Sequence, residues 1–266
     1  MNIPANHNKT WRRRAGNVFM YDTLGVSQLS LMTLFFGLRE THKLLEIGSG
    51  PMRAGRFFIM YLNEGNYFGV EPNTQSTELG LKHEVGDELC GLRQPKIVDR
   101  SDYCFHELGE EFDYALSYSV ITHCPPKDVS KIFTNLSKCF HENSIFLGTA
   151  DFTDDEEVIV DEDNWTVLPT NRYSFERIEN EASRVGMKVQ RFGRVFQEWF
   201  CVYYEGNEIA RRGIEQASSV NWQQVLPKWV SPPAWKSAKE KPVILKFPEE
   251  SPKESTSENS ESQRAA

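Results

Sequence analysis

The 266-residue sequence predicts an α/β protein with a seven-stranded, mostly parallel sheet, an antiparallel last strand, and helices on both faces. Three observations lead to this prediction: seven short apolar runs, helical spacing between several of them, and a short connection between the last two runs. The predicted strands are residues 44–47, 67–70, 96–98, 112–119, 144–149, 188–192 and 199–204.

The predicted helices follow from apolar residues that recur every three or four positions. Residues 127–140 place apolar side chains on one face, and residues 175–185 have similar spacing. A helix of about ten residues is expected soon after the first strand. The apolar stretch 29–38 is interpreted as a core-packing helix, because it lacks the features of a signal peptide.

The last two apolar runs are joined by only a few residues around Gly193 and Arg194. This connection is too short for the crossover helix that parallel neighbours need. The two runs are therefore expected to pair as an antiparallel hairpin.

A glycine turn, Gly48-Ser49-Gly50, follows the first predicted strand, and the second strand ends on Glu71. Glycine lets the backbone turn sharply and lets a ligand approach without a Cβ in the way. A carboxylate at the tip of the neighbouring strand can accept hydrogen bonds from both hydroxyls of a ribose. The pattern therefore predicts a nucleotide-binding βαβ unit.

The spacing of the glycines bears on which nucleotide binds. A dinucleotide fingerprint requires G-x-G-x-x-G, but Arg53 occupies the third glycine position and the next glycine is Gly55. The stretch instead resembles motif I of the class I S-adenosylmethionine-dependent methyltransferases, in which E/D-x-G-x-G is followed by an acidic residue at the end of the second strand. The matching residues are Glu46, Gly48, Gly50 and Glu71.

This resemblance covers residues 43–204 and implies a Rossmann-like methyltransferase fold with S-adenosylmethionine as cofactor. It implies that the glycine turn faces the methionine portion and that Glu71 faces the ribose. Arg53 is either a partner of the methionine carboxylate or a solvated arginine, and Asp102, with Asp99 as the second choice, is expected near the adenine. The predicted cofactor-binding residues are Glu46, Gly48, Ser49, Gly50, Arg53, Glu71, Pro72, Asp102 and Ser117.

The segment after the fourth strand resembles F-D-x-x-x-x-x-S-V-x-x-H-x-P, which is common in small-molecule methyltransferases. The matching residues are Phe112, Asp113, Ser119, Val120, His123 and Pro125. His123 is the candidate catalytic residue, since a neutral imidazole can accept a proton from the acceptor. The alternative is that His123 fixes the loop through a hydrogen bond.

The resemblance implies a methyltransferase that acts on an oxygen or nitrogen atom of a small-molecule or glycan-type acceptor. The alternative is a methyltransferase-like module that binds a ligand or partner without catalysis. An NAD-dependent oxidoreductase is opposed by Arg53 and by the closing hairpin. A DNA base methylase is disfavoured, because no D/N-P-P-Y/F sequence follows the fourth strand.

Composition limits the partners. The formal net charge of −8 disfavours nonspecific nucleic-acid binding, which depends on clustered Lys and Arg. No run approaches the roughly 20 apolar residues of a membrane helix. The five cysteines lack metal-site spacing, so we expect reduced thiols, no bound metal, and a cytoplasmic location. The sequence leaves the oligomeric state open.

Four regions are predicted along the chain. Residues 1–42 form a helical cap over the site, 43–205 the cofactor-binding domain, 206–247 a helix and a Trp/Pro-rich arm, and 248–266 a disordered tail. The arm is interpreted as an intramolecular strap or as a contact for a partner.

Polar residues in two regions outside the motifs are candidates for the acceptor pocket. The acidic segment 151–163 is expected to be a loop that shapes the substrate entrance. The segment 12–14, three arginines, could attract an anionic substrate or could be a solvated face. The candidates in the N-terminal region are Tyr21, Asp22, Gln28 and Arg39.

Overall fold

The computed structural model describes residues 10–16, 18–195, 197–222 and 244–245. The strands are β1 Leu44–Ile47, β2 Tyr67–Val70, β3 Lys96–Val98, β4 Phe112–Ser117, β5 Phe140–Ala150, β6 Trp165–Thr166, β7 Met187–Val195, β8 Gln197–Tyr204 and β9 Ile244–Leu245. The α-helices are α1 Tyr21–Leu34, α2 Gly55–Tyr61, α3 Thr74–Gly80, α4 Asp87–Arg93, α5 Pro126–Leu136, α6 Phe175–Arg184 and α7 Glu208–Ser218. Within the described residues, no helix is both long and apolar enough to cross a bilayer.

The main sheet has seven strands in the order β3-β2-β1-β4-β5-β8-β7. β1 to β5 pair in parallel, whereas β8 is antiparallel to both of its neighbours. The structure therefore confirms the predicted sheet, including the antiparallel last strand. Because β1 to β5 run in one direction, their carboxyl ends meet along one edge of the sheet.

Side chains of the sheet alternate between two apolar cores, one on each face. Leu45 and Ile47 pack in one core together with residues of α5 and α6. Leu44 packs in the other core with residues of α1, α2 and α7. Helices thus cover both faces, as predicted, and the carboxyl edge of the sheet is left for a ligand.

Among the predicted boundaries that were wrong, two have a clear physical reason. Phe140 opens β5, where it pairs with Phe112, and α5 already ends at Leu136. Its apolar spacing fits a helix, but pairing within the sheet overrides that pattern. β4 stops at Ser117, because Ser119 has a positive φ of 62° that no strand residue adopts.

The N-terminal segment is held against the domain by buried ion pairs. A 3-10 helix, Thr10–Ala15, leads into this region, and α1 starts eight residues before the predicted stretch 29–38. Arg12 donates two hydrogen bonds of 2.6 Å to Glu84, which also pairs with Arg56 at 2.8 Å. Arg12 is only 7% exposed, so it belongs neither to a solvated face nor to a site for anions.

The C-terminal region is described in part. Helix α7 follows the domain, where a helix was expected. Asn207 caps its start, because the Asn207 side chain accepts a hydrogen bond from the Ala210 N–H. β9 pairs antiparallel with β6, and the two form a second, two-stranded sheet that the sequence analysis did not predict. The rest of the Trp/Pro-rich arm beyond Trp222, and the tail 248–266, lie outside the described residues.

Candidate active site

A cavity of about 1410 Å³ lies at the carboxyl edge of the sheet. Its lining residues fall within the N-terminal segment 13–16, the turns and loops 46–53, 70–76, 100–103 and 118–123, and the more distant Asp151, 165–170 and Gln197. Seven of the nine predicted cofactor-binding residues and His123 are among them. Asp102 and Ser117 are the two that lie outside the lining.

The glycine turn requires glycine for two reasons. Gly48 has a φ of +75°, a region that other residues rarely adopt, and its N–H donates to the Val70 carbonyl at 2.8 Å. A Cβ added to Gly48 would lie 2.4 Å from the Val120 Cγ2 atom. The turn therefore lies directly against the loop after β4, and no side chain could be inserted between them.

Glu71 connects the ends of β1 and β2. Its Oε2 accepts a hydrogen bond from the Gly50 N–H at 3.0 Å, and its Oε1 accepts one from the Asn73 N–H at 2.9 Å. Burial raises the pKa of the carboxyl, and the two N–H donors partly offset this. A carboxylate can accept about four hydrogen bonds, so two lone pairs remain for a ligand in the cavity.

Glu46 is a buried carboxyl in the wall of the cavity. It is 6% exposed, and the Tyr67 hydroxyl donates a hydrogen bond of 2.6 Å to its Oε2. Burial raises the pKa of Glu46 to about 7, although the bond from Tyr67 acts in the opposite direction. The residue therefore exchanges a proton near neutral pH.

Arg53 presents a cation to the cavity. Its guanidinium lies over the Tyr118 ring at 4.6 Å, and Nη1 donates to the Ala15 carbonyl at 2.8 Å. In the described part of the chain, its buried Nε has no hydrogen-bond partner and no carboxylate forms a direct ion pair with it. Arginine stays charged in proteins, so this charge is available to an anionic group of a ligand.

The loop after β3 contributes residues other than the predicted ones. The Asp102 carboxylate pairs with Arg100 at 2.9 Å and accepts the Cys104 N–H, whereas Ser101 and Tyr103 line the cavity. Ser117, fully buried at the end of β4, has an unpartnered Oγ. The cofactor contacts of Asp102 and Ser117 stay predictions.

His123 lines the cavity in a defined tautomer. Its Nδ1 lies 2.7 Å from the Thr166 carbonyl oxygen, which can only accept, so Nδ1 carries the hydrogen. Burial lowers the pKa of His123, with the bond to Thr166 acting against it. The neutral ring therefore keeps a free lone pair on Nε2, and the loop-fixing and proton-accepting roles are compatible.

Another part of the cavity wall comes from the segment after β5. Asn171 binds the loop after β4. Its backbone N–H donates to the Thr122 carbonyl at 2.8 Å, and its Nδ2 donates to the Cys124 carbonyl at 2.6 Å. The Tyr173 hydroxyl donates to the same Cys124 carbonyl at 2.6 Å. These bonds hold residues 165–170 at the cavity. Of the acidic segment 151–163, which was expected to shape the entrance, Asp151 is the residue that lines it.

Gln197 is a cavity residue that the sequence analysis missed. It accepts from the Thr149 hydroxyl at 2.7 Å and donates to the Ser119 hydroxyl at 3.1 Å. Thr149 in turn accepts from the Ser119 N–H at 2.8 Å, which closes a ring of hydrogen bonds around the strained Ser119. No local motif marks Gln197, because the ring joins residues that are 78 positions apart.

The polar candidates in the N-terminal region were wrong, since none of them lines the cavity. The Tyr21 hydroxyl donates to the Pro51 carbonyl, and Asp22 pairs with Arg12 and Arg56. Gln28 is buried in α1, and Arg39 lies on the surface. Residues 13–16 line the rim instead, and Arg14 reaches across to Gln75 at 2.8 Å.

Comparison of the sequence with protein-family models and with curated proteins gives no match. The structure is similar to that of magnesium protoporphyrin IX methyltransferase (ChlM) from Synechocystis PCC 6803 with bound SAM. The two share 10% identity over 76% of this chain and 92% of that chain, with a TM-score of 0.54.

Two further solved structures have similar statistics. A S-adenosylmethionine-dependent methyltransferase from Clostridium acetobutylicum ATCC 824 is 12% identical over 73% of this chain and 94% of that chain, with a TM-score of 0.51. The glycopeptide N-methyltransferase MtfA, complexed with sinefungin, is 14% identical over 68% and 94%, with a TM-score of 0.52. Together with the strand order, these similarities show that the chain has the fold of the class I S-adenosylmethionine-dependent methyltransferases.

Proposed function

We propose that the protein is an S-adenosylmethionine-dependent methyltransferase that methylates an oxygen or nitrogen atom of a small-molecule or glycan-type acceptor. The observation that carries this proposal is the glycine turn beside Glu71, which opens on a cavity of about 1410 Å³ at the carboxyl edge of the sheet. The cavity is large enough for a nucleoside cofactor and a second ligand together.

The residues present fit the cofactor. Around Gly50 the nearest atom to an added Cβ is the Gly48 carbonyl oxygen at 4.0 Å, so the methionine portion can approach the backbone there. Glu71 has two lone pairs left for the ribose hydroxyls. Arg53 carries a charge without a direct carboxylate partner in the described chain, which suits the methionine carboxylate. Pro72 and Ser49 complete this part of the lining.

The bound cofactor supplies a methyl group on a sulfonium, which is already a good leaving group. The protein must then align the acceptor and accept a proton if the acceptor carries one. His123 is suited to the second task, because its Nδ1–H is fixed on the Thr166 carbonyl and its Nε2 keeps a lone pair. Its lowered pKa keeps the ring neutral at physiological pH.

The regions around the domain fit the same proposal. Residues 13–16 line the rim and Arg14 reaches Gln75, which supports a cap over the cofactor formed by residues 1–42. The pairing of β9 with β6 supports an intramolecular strap for the arm. The cysteines, all present as free thiols, fit a cytoplasmic protein.

Two of the similar structures are named for a porphyrin methyltransferase and a glycopeptide N-methyltransferase, which supports a small-molecule or glycan-type acceptor here. The second candidate function is a module that binds the nucleoside ligand without catalysis. The intact glycine turn does not distinguish the two, but the neutral, fixed His123 beside the cavity favours the enzyme.

The proposal is tested by calorimetric titration of the folded chain with S-adenosylmethionine, S-adenosylhomocysteine and NAD. We expect binding of both adenosyl ligands and none of NAD. Binding of NAD alone, or of none of the three, would refute the proposal. Adenosyl binding without methyl transfer to any acceptor in a broad screen would favour the non-catalytic module.

Substitution of Glu71 tests the ribose contact within the same assay. Glu71→Ala should weaken S-adenosylhomocysteine binding by about 1–3 kcal/mol, because two hydrogen bonds to a carboxylate are lost. Glu71→Gln keeps one acceptor oxygen for the N–H of Gly50 or Asn73, so it should lose less affinity for S-adenosylhomocysteine than Glu71→Ala. Glu78→Ala is the matched control, since Glu78 is exposed on α3. Equal affinities in all four proteins would rule out the contact.

A further inference from the structure

The cavity has two parts with different charges. The cofactor half comprises the lining residues up to Val120, and the acceptor half comprises His123, Asp151, Trp165, the stretch 167–170 and Gln197. The cofactor half includes four arginines together with Glu46 and Glu71. In the acceptor half, the described lining contains one carboxylate, that of Asp151, and no lysine or arginine.

Asp151 directly follows β5 and is half-buried in the cavity wall. Burial raises the pKa of its carboxyl, while the more distant Arg194 and Arg172 and the Thr170 hydroxyl partly offset this. Among the described residues, neither arginine forms a direct ion pair with it; Arg194 instead pairs with Glu198 at 3.8 Å. The carboxylate thus faces the cavity without a cation in contact.

An apolar wall adjoins this carboxylate. It consists of Trp165, Val167, Leu168 and Pro169, and Leu168 is 43% exposed although it is apolar. The indole Nε1 of Trp165 donates to Asp128 at 3.0 Å, which fixes the ring. The hydrogen bonds of Asn171 and Tyr173 hold the segment in place. The wall is therefore a fixed apolar surface beside a carboxylate.

A partly buried carboxylate is stabilised by a ligand that donates charge-assisted hydrogen bonds. An indole ring also attracts a cation, and an apolar wall binds the hydrocarbon part of a ligand. Anionic acceptors would be repelled by Asp151, and neutral ones would leave it without a cation in direct contact.

We propose that the methyl acceptor carries an ammonium group on an apolar or aromatic body, with the ammonium paired to Asp151 and the body packed on Trp165 and Val167 to Pro169. This inference rests on the proposed methyltransferase function. It narrows the acceptor class from small molecules and glycans in general to amine-bearing compounds. The ammonium serves recognition, and its pairing with Asp151 directs the rest of the acceptor towards His123 and the cofactor half.

The test uses the full chain saturated with S-adenosylhomocysteine and three ligands of similar size: phenethylamine, 2-phenylethanol and 3-phenylpropanoate. Calorimetry should give about tenfold tighter binding for the amine than for the alcohol, as expected for one charge-assisted hydrogen bond, and the weakest binding for the acid. Asp151→Asn should reduce amine binding to the level of the alcohol. The control Asp154→Asn removes an exposed carboxylate of the same segment and should change nothing.

The affinity for S-adenosylhomocysteine distinguishes a failure of this inference from a failure of the proposed methyltransferase function. If Asp151→Asn binds it as the unsubstituted chain does, the variant is folded and its cofactor half is intact. Equal affinity of the alcohol and the amine, amine binding that Asp151→Asn leaves unchanged, or no amine binding to the loaded protein would each overturn the inference. These results would leave the methyltransferase proposal standing. A folded chain that binds no S-adenosylhomocysteine would overturn both.

Discussion

The two halves of the cavity are built in different ways. The cofactor half comes mainly from one continuous βαβ unit, in which backbone groups of the glycine turn, Glu71 and Asn73 bind one another. The acceptor half is assembled from residues far apart in sequence, such as His123, Asp151 and Gln197. The comparison teaches that a local backbone motif suffices to build the proposed cofactor half, whereas the proposed acceptor half depends on the tertiary fold.

The largest effect that would sharpen this comparison is expected at His123. An asparagine at this position can still donate to the Thr166 carbonyl through Nδ2, but it lacks a proton acceptor where Nε2 lies. His123→Asn should therefore lower turnover by about 10²–10⁴-fold, the usual contribution of a general base. S-adenosylhomocysteine affinity should stay the same, because the cofactor half is unaffected.

The pH profile gives an independent check on His123. Because burial lowers its pKa, turnover should rise with pH through a value below the ordinary 6.5 and then level off. Unchanged turnover in His123→Asn, together with a loss in His123→Ala, would mean that His123 only fixes the loop. The methyl acceptor for this assay is the best substrate from the broad acceptor screen.

The next effect concerns the backbone of the cofactor half. Gly48→Ala should destabilise the fold by about 2–5 kcal/mol, from left-handed strain and from overlap with Val120. Gly65→Ala is the matched control, because Gly65 has nearly the same φ of +73° but no atom within 4 Å of an added Cβ. Urea denaturation measures both. Equal losses in the two variants would show that contact with Val120 contributes nothing.

A smaller effect should distinguish Glu46 from the carboxylates at the surface. Its pKa is raised from 4.5 to about 7, so the folded state favours the protonated carboxyl. This residue's contribution to the free energy of unfolding should fall as pH rises from about 4.5 to about 7, by on the order of 3 kcal/mol. Glu46→Gln cannot titrate and should lack this loss, so its stability relative to the unsubstituted chain should rise between pH 5 and pH 8.

Urea denaturation at the two pH values checks this prediction for Glu46. Glu40→Gln is the control, since Glu40 is an exposed carboxylate in the same part of the chain. A stability difference between Glu46→Gln and the unsubstituted chain that is the same at pH 5 and pH 8 would contradict the prediction.

The same contrast explains what could be predicted from the sequence. The sheet, the glycine turn and the position of Glu71 follow from short-range patterns, and the structure has them in the predicted arrangement. Gln197 carries no local pattern, because strand pairing brings it to the cavity. Asp151 was predicted only as part of the acidic segment 151–163, and its place directly after β5 decides that it lines the cavity. Tyr21 and Asp22 were predicted for the pocket because they are polar and lie in the N-terminal region, but hydrogen bonds and ion pairs direct them to other partners. Phe140 fitted a helical period, yet sheet pairing decided its conformation.

The hydrogen bond from Arg53 to the Ala15 carbonyl connects ligand binding with the order of the N-terminal segment. A ligand at Arg53 that strengthens this hydrogen bond would favour the ordered segment. Thermodynamic linkage then requires that ordering of the segment raise the affinity for the ligand by the same factor. The segment is also held by Arg12 on Glu84, a residue outside the cavity lining. Substitutions that break the Arg12–Glu84 pair should therefore change ligand affinity, although neither residue lines the cavity.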